Sequence, residues 1–309
     1  MSTESKQLAF YVQAGASIGL GHLTRSLAVS QAMKSIGFEV KFIIASDDYG
    51  RAKADTLGMS SEEVVTFNDV IIDAATIPED DVRYLMRFSN RILISPVCNR
   101  ADIATQVMVR AVSDTLKSSL AQNALVIEDS SFAYTTTRYL KPRALNFEKI
   151  RVGICLSGGE DSLNLRELVS TIAESPSVSE IYVLHHHALN VSPRNGVTLF
   201  QEFYNSDPWS YFSDINVFIG GDGLLISESV AQGIPSISLT TQSNFFKNKY
   251  LNELGCLECF FRESLDYSSL QQLLSDQEAL VKMHRIALDQ PSPDGAKLLA
   301  RSICHIVKN

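Results

Sequence analysis

Residues 8–14 read LAFYVQA, an almost unbroken apolar run of strand-forming residues. A turn with three glycines follows, at Gly15, Gly19 and Gly21. Leu23, Leu27, Val29, Met33 and Ile36 then recur at helical spacing, and Gly37 is a natural stop. The next run, FEVKFIIAS at residues 38–46, alternates and then turns wholly apolar, the pattern of a strand covered on both faces. Strand, helix and strand in that order predict a parallel sheet. RILIS at residues 91–95 and ALVIE at residues 124–128 read as further strands of the same half.

The pattern lapses around residues 137–148, TRYLKPRALNFE, which carry Pro142 and mixed charge. A domain boundary is expected there, dividing the chain into 1–145 and 146–309. A second strand–turn–helix begins at once. Residues 150–156 form its strand, Ser157, Gly158 and Gly159 its turn, and Leu165, Leu168, Val169 and Ile172 its helical stripe. IYVLHHH, INVFIGGDG and IPSISLT read as strands, with helices through LISESVAQG and NFFKNKYLNELG. After residues 257–261 the chain reads as helical to its end, including DGAKLLARSICHIVK.

The expected fold is therefore α/β, with two Rossmann-like domains whose parallel sheets face a central cleft. In such sheets ligands gather at the carboxyl ends of strands. Glycine-rich turns at residues 15–21, 158–159 and 220–223 all follow predicted strands. One such turn is only a tight turn; three at equivalent places in both halves point to a ligand site.

Composition narrows the partners. The 309 residues are 45% hydrophobic and 20% charged, with a formal net charge of -8, which argues against general binding to nucleic acid or anionic membranes. No stretch has the 18 consecutive apolar residues of a membrane span, and MSTESKQLAF lacks a secretory pattern, so a cytoplasmic chain is expected. Five cysteines suit a reducing compartment. Cys256 and Cys259 form a lone C-x-x-C, and without a second pair they read as packing residues rather than a zinc site. His185, His186 and His187 follow one another on a predicted strand, where neighbours point to opposite faces, so no metal centre is expected. No cofactor is expected either.

His22 is the residue in the first turn with chemistry to offer. Gly19 and Gly21 let backbone N–H groups approach an oxyanion, and the helix starting there directs its positive end at the same place. Histidine titrates near neutrality, at about 6.5 when unperturbed, and as neutral imidazole it takes a proton from a nucleophile. The residues alone also suit a histidine that merely caps its helix.

IGLGHLTRSLAVS, CLSGGEDSLNL and FIGGDGLLISESVAQGIPSISL occur in this order and together resemble the nucleotide-sugar hydrolase of pseudaminic acid biosynthesis and its spore-coat polysaccharide relatives. That family has a GT-B-like fold akin to the MurG-type glycosyltransferases. The most specific piece is I-G-x-G-H-x-x-R, complete here as Ile18, Gly19, Gly21, His22 and Arg25. The resemblance implies that His22 activates water against the anomeric carbon of a UDP-linked sugar, releasing UDP and a diacetamido-trideoxy sugar. It implies a substrate site of Gly19, Gly21, Arg25, Gln13, Ser243 and Asn244. It further implies a nucleotide site of Gly158, Gly159, Gly223, Leu224, Leu225 and Glu228, with Glu228 receiving the ribose hydroxyls. Lying between Ile226 and Val230, Glu228 could by spacing alone be a solvated helix residue.

Departures cluster around the sugar. The family's R-x-D at the end of the first strand is Tyr11 and Gln13 here, its late Asn-Gln is Ser243 and Asn244, and Asp222 stands where small residues are usual. Ser95 and Pro96 replace residues that are often acidic. Nucleotide-sugar binding is thus the firmer expectation. Hydrolysis is the first reading of the reaction, transfer to a glycan or lipid hydroxyl the second, and binding without catalysis the third.

Overall fold

The computed structural model describes residues 6–15, 18–61, 67–133, 141–156, 164–185, 188–193, 196–202, 208–290 and 294–307. The chain forms two compact units, Met1–Tyr139 with Pro293–Asn309, and Leu140–Ser292.

The first unit runs β1 (Lys6–Ala14), α1 (Gly21–Ser35), β2 (Phe38–Ser46), α2 (Asp48–Thr56), β3 (Asp69–Asp73), α3 (Glu79–Leu85), β4 (Asn90–Leu93), β5 (Gln106–Val109), α4 (Asp114–Ser119) and β6 (Leu125–Glu128). Its strands make one parallel sheet in the order β2-β1-β3-β4-β5-β6. Strand β1 is an interior strand, buried on both faces. Leu8, Phe10 and Val12 point into one core with Leu23, Val29 and Met33 of α1, while Ala9 and Tyr11 point into the other with Val70, Ile72 and Leu85. This two-residue alternation explains why both faces of β1 are apolar.

The second unit runs β7 (Ile150–Cys155), α5 (Leu165–Glu174), β8 (Val178–Leu184), β9 (Thr198–Glu202), α6 (Pro208–Tyr211), β10 (Val217–Gly220), α7 (Leu224–Ala231), β11 (Ser236–Thr240), α8 (Lys249–Leu254), β12 (Leu257–Phe261), α9 (Tyr267–Ser275) and α10 (Gln277–Leu288). Its sheet is also parallel, in the order β12-β11-β10-β7-β8-β9. Val152, Ile154, Val217 and Ile219 bury against Leu168 and Ile172 of α5 and against Leu270 of α9. Trp209, Phe212 and Phe218 form an aromatic cluster, with ring centroids 5.4–6.0 Å apart.

The last helix, α11 (Gly295–Val307), corrects the expected domain limits. Leu299, Ala300 and Ile303 are buried in the core that holds Leu8, Phe10 and Leu23, so α11 belongs to the first unit rather than to a second domain of 146–309. Its apolar stripe is one that α1 covers. The crossing into the second unit also falls slightly earlier than 145, after Tyr139. Strands β3, β5, β9 and β12 are additional to those expected. The five cysteines are thiols outside any disulfide, with Cys155 and Cys256 buried.

Candidate active site

Both sheets change winding direction once. In the first, α1 carries the chain from β1 to β2 on one side, and β3 lies on the other side of β1. The carboxyl ends of β1 and β3 therefore adjoin at the switch point, where open α/β sheets bind ligands. The glycine turn lies there. Gly19 has φ +85°, a left-handed conformation that favours glycine, and its N–H donates to the Gly15 carbonyl at 2.8 Å. Helix α1 then starts at Gly21 with no side-chain cap at Leu20 and no acidic residue in its first turn. Its N-terminal N–H groups and positive dipole end are thus not countered by a side chain of the first turn.

His22, in that first turn, meets Asp73, the last residue of β3. Nδ1 of His22 lies 2.6 Å from Oδ1 of Asp73. The Arg25 guanidinium, one helical turn on, grips the same carboxylate through both oxygens: Nε donates to Oδ2 at 2.9 Å and Nη2 to Oδ1. Ser26 donates its hydroxyl to Oδ2 at 3.1 Å. The His22 and Arg25 side chains each keep 12% exposure and the Asp73 side chain none.

These distances bear on which nitrogen of His22 carries a proton. Nη2 of Arg25 also lies 3.0 Å from Nδ1 of His22 and could donate only to a bare Nδ1. A bare Nδ1 would leave two lone pairs facing each other at 2.6 Å unless Asp73 were protonated. Burial alone would raise the Asp73 carboxyl, but Arg25 and His22 outweigh it and hold it at about 2. Asp73 is therefore ionised and Nδ1 donates to it. In the neutral ring Nε2 then keeps the lone pair and can accept a proton.

Other expected residues frame this pair. Gln13, at the end of β1, accepts with Oε1 from the N–H groups of Ala75 and Thr76 at 3.0 and 2.9 Å. Its oxygen thus braces the loop that follows Asp73. Asn99 ties the same loop from the other side, accepting from the Ile77 N–H at 2.8 Å. Tyr11 is buried and donates to Asp81 at 2.6 Å, and burial with that bond pushes its phenol far above the ordinary range. A carboxylate does stand in this site, but on β3 rather than at position 13. Gly21 faces open space.

In the second unit the switch lies between β7 and β10. Gly158 and Gly159 lie outside the described residues, as do His186 and His187. Gly223, Leu224 and Leu225 form the start of α7, which has neither a side-chain cap nor an acidic residue in its first turn. Glu228, on the same helix, is 3% exposed, which removes the solvated reading. It accepts from the Trp209 indole N–H at 2.7 Å. Asp222 is directed toward Ser238 and Asn248, with Oδ1 at 3.5 Å from each. Ser243 and Asn244 lie in the exposed turn after β11, where the Ser243 and Thr241 hydroxyls are 3.0 Å apart and the Asn244 N–H donates to the Thr241 carbonyl.

The structure thus brings His22, Arg25 and Gln13 together with Asp73, and Gly223, Leu224 and Leu225 onto one helix with Glu228. Asp73 is the residue of this cluster that the sequence reading missed. Its signal was there: DVIID is a short apolar run ending in a carboxylate, as β1 ends in the glycine turn.

No protein-family model matches this chain, and no curated protein matches it with significant similarity. Solved structures do match in fold. A MurG structure from Acinetobacter baumannii aligns at TM-score 0.65 and 13% identity, covering 97% of this chain and 99% of that one. The spinosyn rhamnosyltransferase SpnG, complexed with spinosyn aglycone, aligns at 0.58 and 16%, covering 96% and 99%. The spinosyn forosaminyltransferase SpnP aligns at 0.60 and 12%, covering 98% and 100%. The fold is GT-B-like, two α/β units each built on a parallel sheet.

Proposed function

We propose that this protein is a glycosyltransferase that uses a nucleoside-diphosphate sugar and delivers the sugar to a hydroxyl of an acceptor. The observation that carries this reading is the 2.6 Å contact of His22 Nδ1 with buried Asp73. It leaves Nε2 of His22 as the base that takes the acceptor proton as the oxygen attacks the anomeric carbon. The nucleoside diphosphate departs with the electron pair of the broken glycosidic bond. The start of α7 and Glu228 serve the donor's diphosphate and ribose, and Gly158 and Gly159 belong to the same role by sequence. The glycosyltransferase folds of MurG, SpnG and SpnP support transfer over hydrolysis.

The complete I-G-x-G-H-x-x-R turn favours a second reading, in which water is the nucleophile and the sugar is released. One experiment separates the two. The protein is incubated with a panel of nucleoside-diphosphate sugars, with and without glycan and lipid alcohols, and free nucleotide is measured. Nucleotide released only when an alcohol is present, with a glycosylated product, supports transfer. Release in water alone supports hydrolysis. Binding of donor with no release under either condition removes catalysis and leaves a nucleotide-sugar-binding protein.

A further inference from the structure

The carboxylate of Asp73 is fully enclosed, and two groups that can carry positive charge press on it, His22 and Arg25. One buried carboxylate needs one compensating cation. We propose that Arg25 is a positioning residue whose permanent charge satisfies Asp73, so that the His22 ring stays neutral and free to act as a base. This inference rests on the assignment of His22 as base and gives Arg25 a role other than contact with the substrate.

The geometry fits that division of work. Arg25 takes both oxygens of Asp73, whereas His22 takes one. Guanidinium does not lose its proton under ordinary conditions, so the pair is charge-balanced whatever the ring does. Ser26 fills the remaining site on Oδ2 with a neutral donor. Without Arg25 the sole remaining charge partner of Asp73 would be His22. The ring would then be held as imidazolium, both nitrogens protonated, with no lone pair for an incoming hydroxyl. The charged groups that the structure places in contact with the ring are Asp73 from β3 and Arg25 from α1. Cys98, in the loop after β4, is the next titratable group near Asp73, and burial pushes its thiol up to about 11, so it remains neutral.

The test reads the ring directly, by long-range proton–nitrogen correlation spectra of the His22 imidazole, assigned with His22→Asn. Three proteins are compared with the wild type at neutral pH: Arg25→Met, Arg25→Lys and the double variant Arg25→Met/Asp73→Asn. The expected result is a neutral ring protonated on Nδ1 in the wild type and in Arg25→Lys. Arg25→Met is expected to show imidazolium, and the double variant a neutral ring again. Turnover of Arg25→Met falls on the order of 10²-fold at neutral pH and recovers as the pH is raised. A neutral ring in folded Arg25→Met overturns the proposal. If Arg25→Met does not fold, folding of the double variant supports it, because the need for the cation disappears with the charge. A double variant that is also unfolded overturns it, because Arg25 is then required for packing. The ring spectra do not depend on turnover. A wild type that processes no donor yet shows these spectra overturns the proposed function and leaves the charge assignment standing.

Discussion

Trp209 and Glu228 meet inside the second unit, the indole N–H donating to the carboxylate at 2.7 Å with both side chains buried. The pair links the short helix α6 to α7, whose N-terminus is the proposed diphosphate site. Glu228 therefore has a structural task beside its proposed contact with ribose. Two variants separate them. Trp209→Phe loses the hydrogen bond and keeps the carboxylate; it should cost about 1–2 kcal/mol of stability while nucleotide affinity changes little. Glu228→Ala removes the acceptor of the indole N–H and should cost about 1–3 kcal/mol of stability and also weaken nucleotide binding at least tenfold. Thermal melting and titration calorimetry on both proteins check this. Unchanged affinity in folded Glu228→Ala would remove Glu228 from the nucleotide site.

His22→Asn keeps a polar side chain of similar size but lacks the Nε2 base. Turnover should fall about 10²–10⁴-fold while nucleotide affinity is preserved, since the proposed nucleotide contacts lie on α7. Single-turnover kinetics and calorimetry together make the distinction. Parallel loss of affinity and activity would put His22 on the phosphates, and normal turnover would reduce it to a helix-end residue.

Asp73 should make stability depend on acid. Its carboxyl is held at about 2, below the ordinary aspartate range, so in that window the unfolded chain binds more protons than the folded one. The contribution is present above about pH 4 and is lost as the pH falls through about 2. Its size is on the order of 2 kcal/mol. Denaturant midpoints across this window should show the Asp73→Asn protein less acid-dependent than the wild type. Identical slopes would mean that the folded carboxyl titrates as it does in the unfolded chain.

Gln13 gives a test of the frame around the pair. Gln13→Ala leaves the Ala75 and Thr76 N–H groups without their acceptor and should destabilise the protein by about 1–3 kcal/mol. Gln13→Glu retains an acceptor oxygen and should preserve the loop, though it adds a charge to a buried position. Amide hydrogen exchange at Ala75 and Thr76 reports the loop directly. Protection unchanged in Gln13→Ala would show that the brace is dispensable.

The elements nearest to legible in sequence were those with long apolar runs. The run at residues 38–46 is β2, and 150–156 differs from β7 only at its last residue. Strand β3 escaped because it is five residues long and bounded at each end by aspartate, which reads as loop. Strand β9 escaped for the opposite reason: it lies at a sheet edge, half exposed, and shows no apolar run. His22 was legible because its glycine turn is local. Its partner was not, since Asp73 lies 51 residues away and only the pairing of β1 with β3 brings them together. The stripe on α11 announced a buried helix face without saying which core it enters. NFFKNKYLNELG formed a short 3₁₀ turn, Phe245–Lys247, before α8 rather than one continuous helix.

The placement of α11 sets an order of events during synthesis. Residues 140–292 emerge from the ribosome as an uninterrupted block and hold every strand of their sheet. The core around Leu8, Phe10 and Leu23 must wait for Leu299 and Ile303, which are made only after that block. Domains usually complete in the order in which they are translated. Here the unit that starts first is the one that closes last, and until α11 arrives the core shared by β1 and α1 lacks Leu299, Ala300 and Ile303.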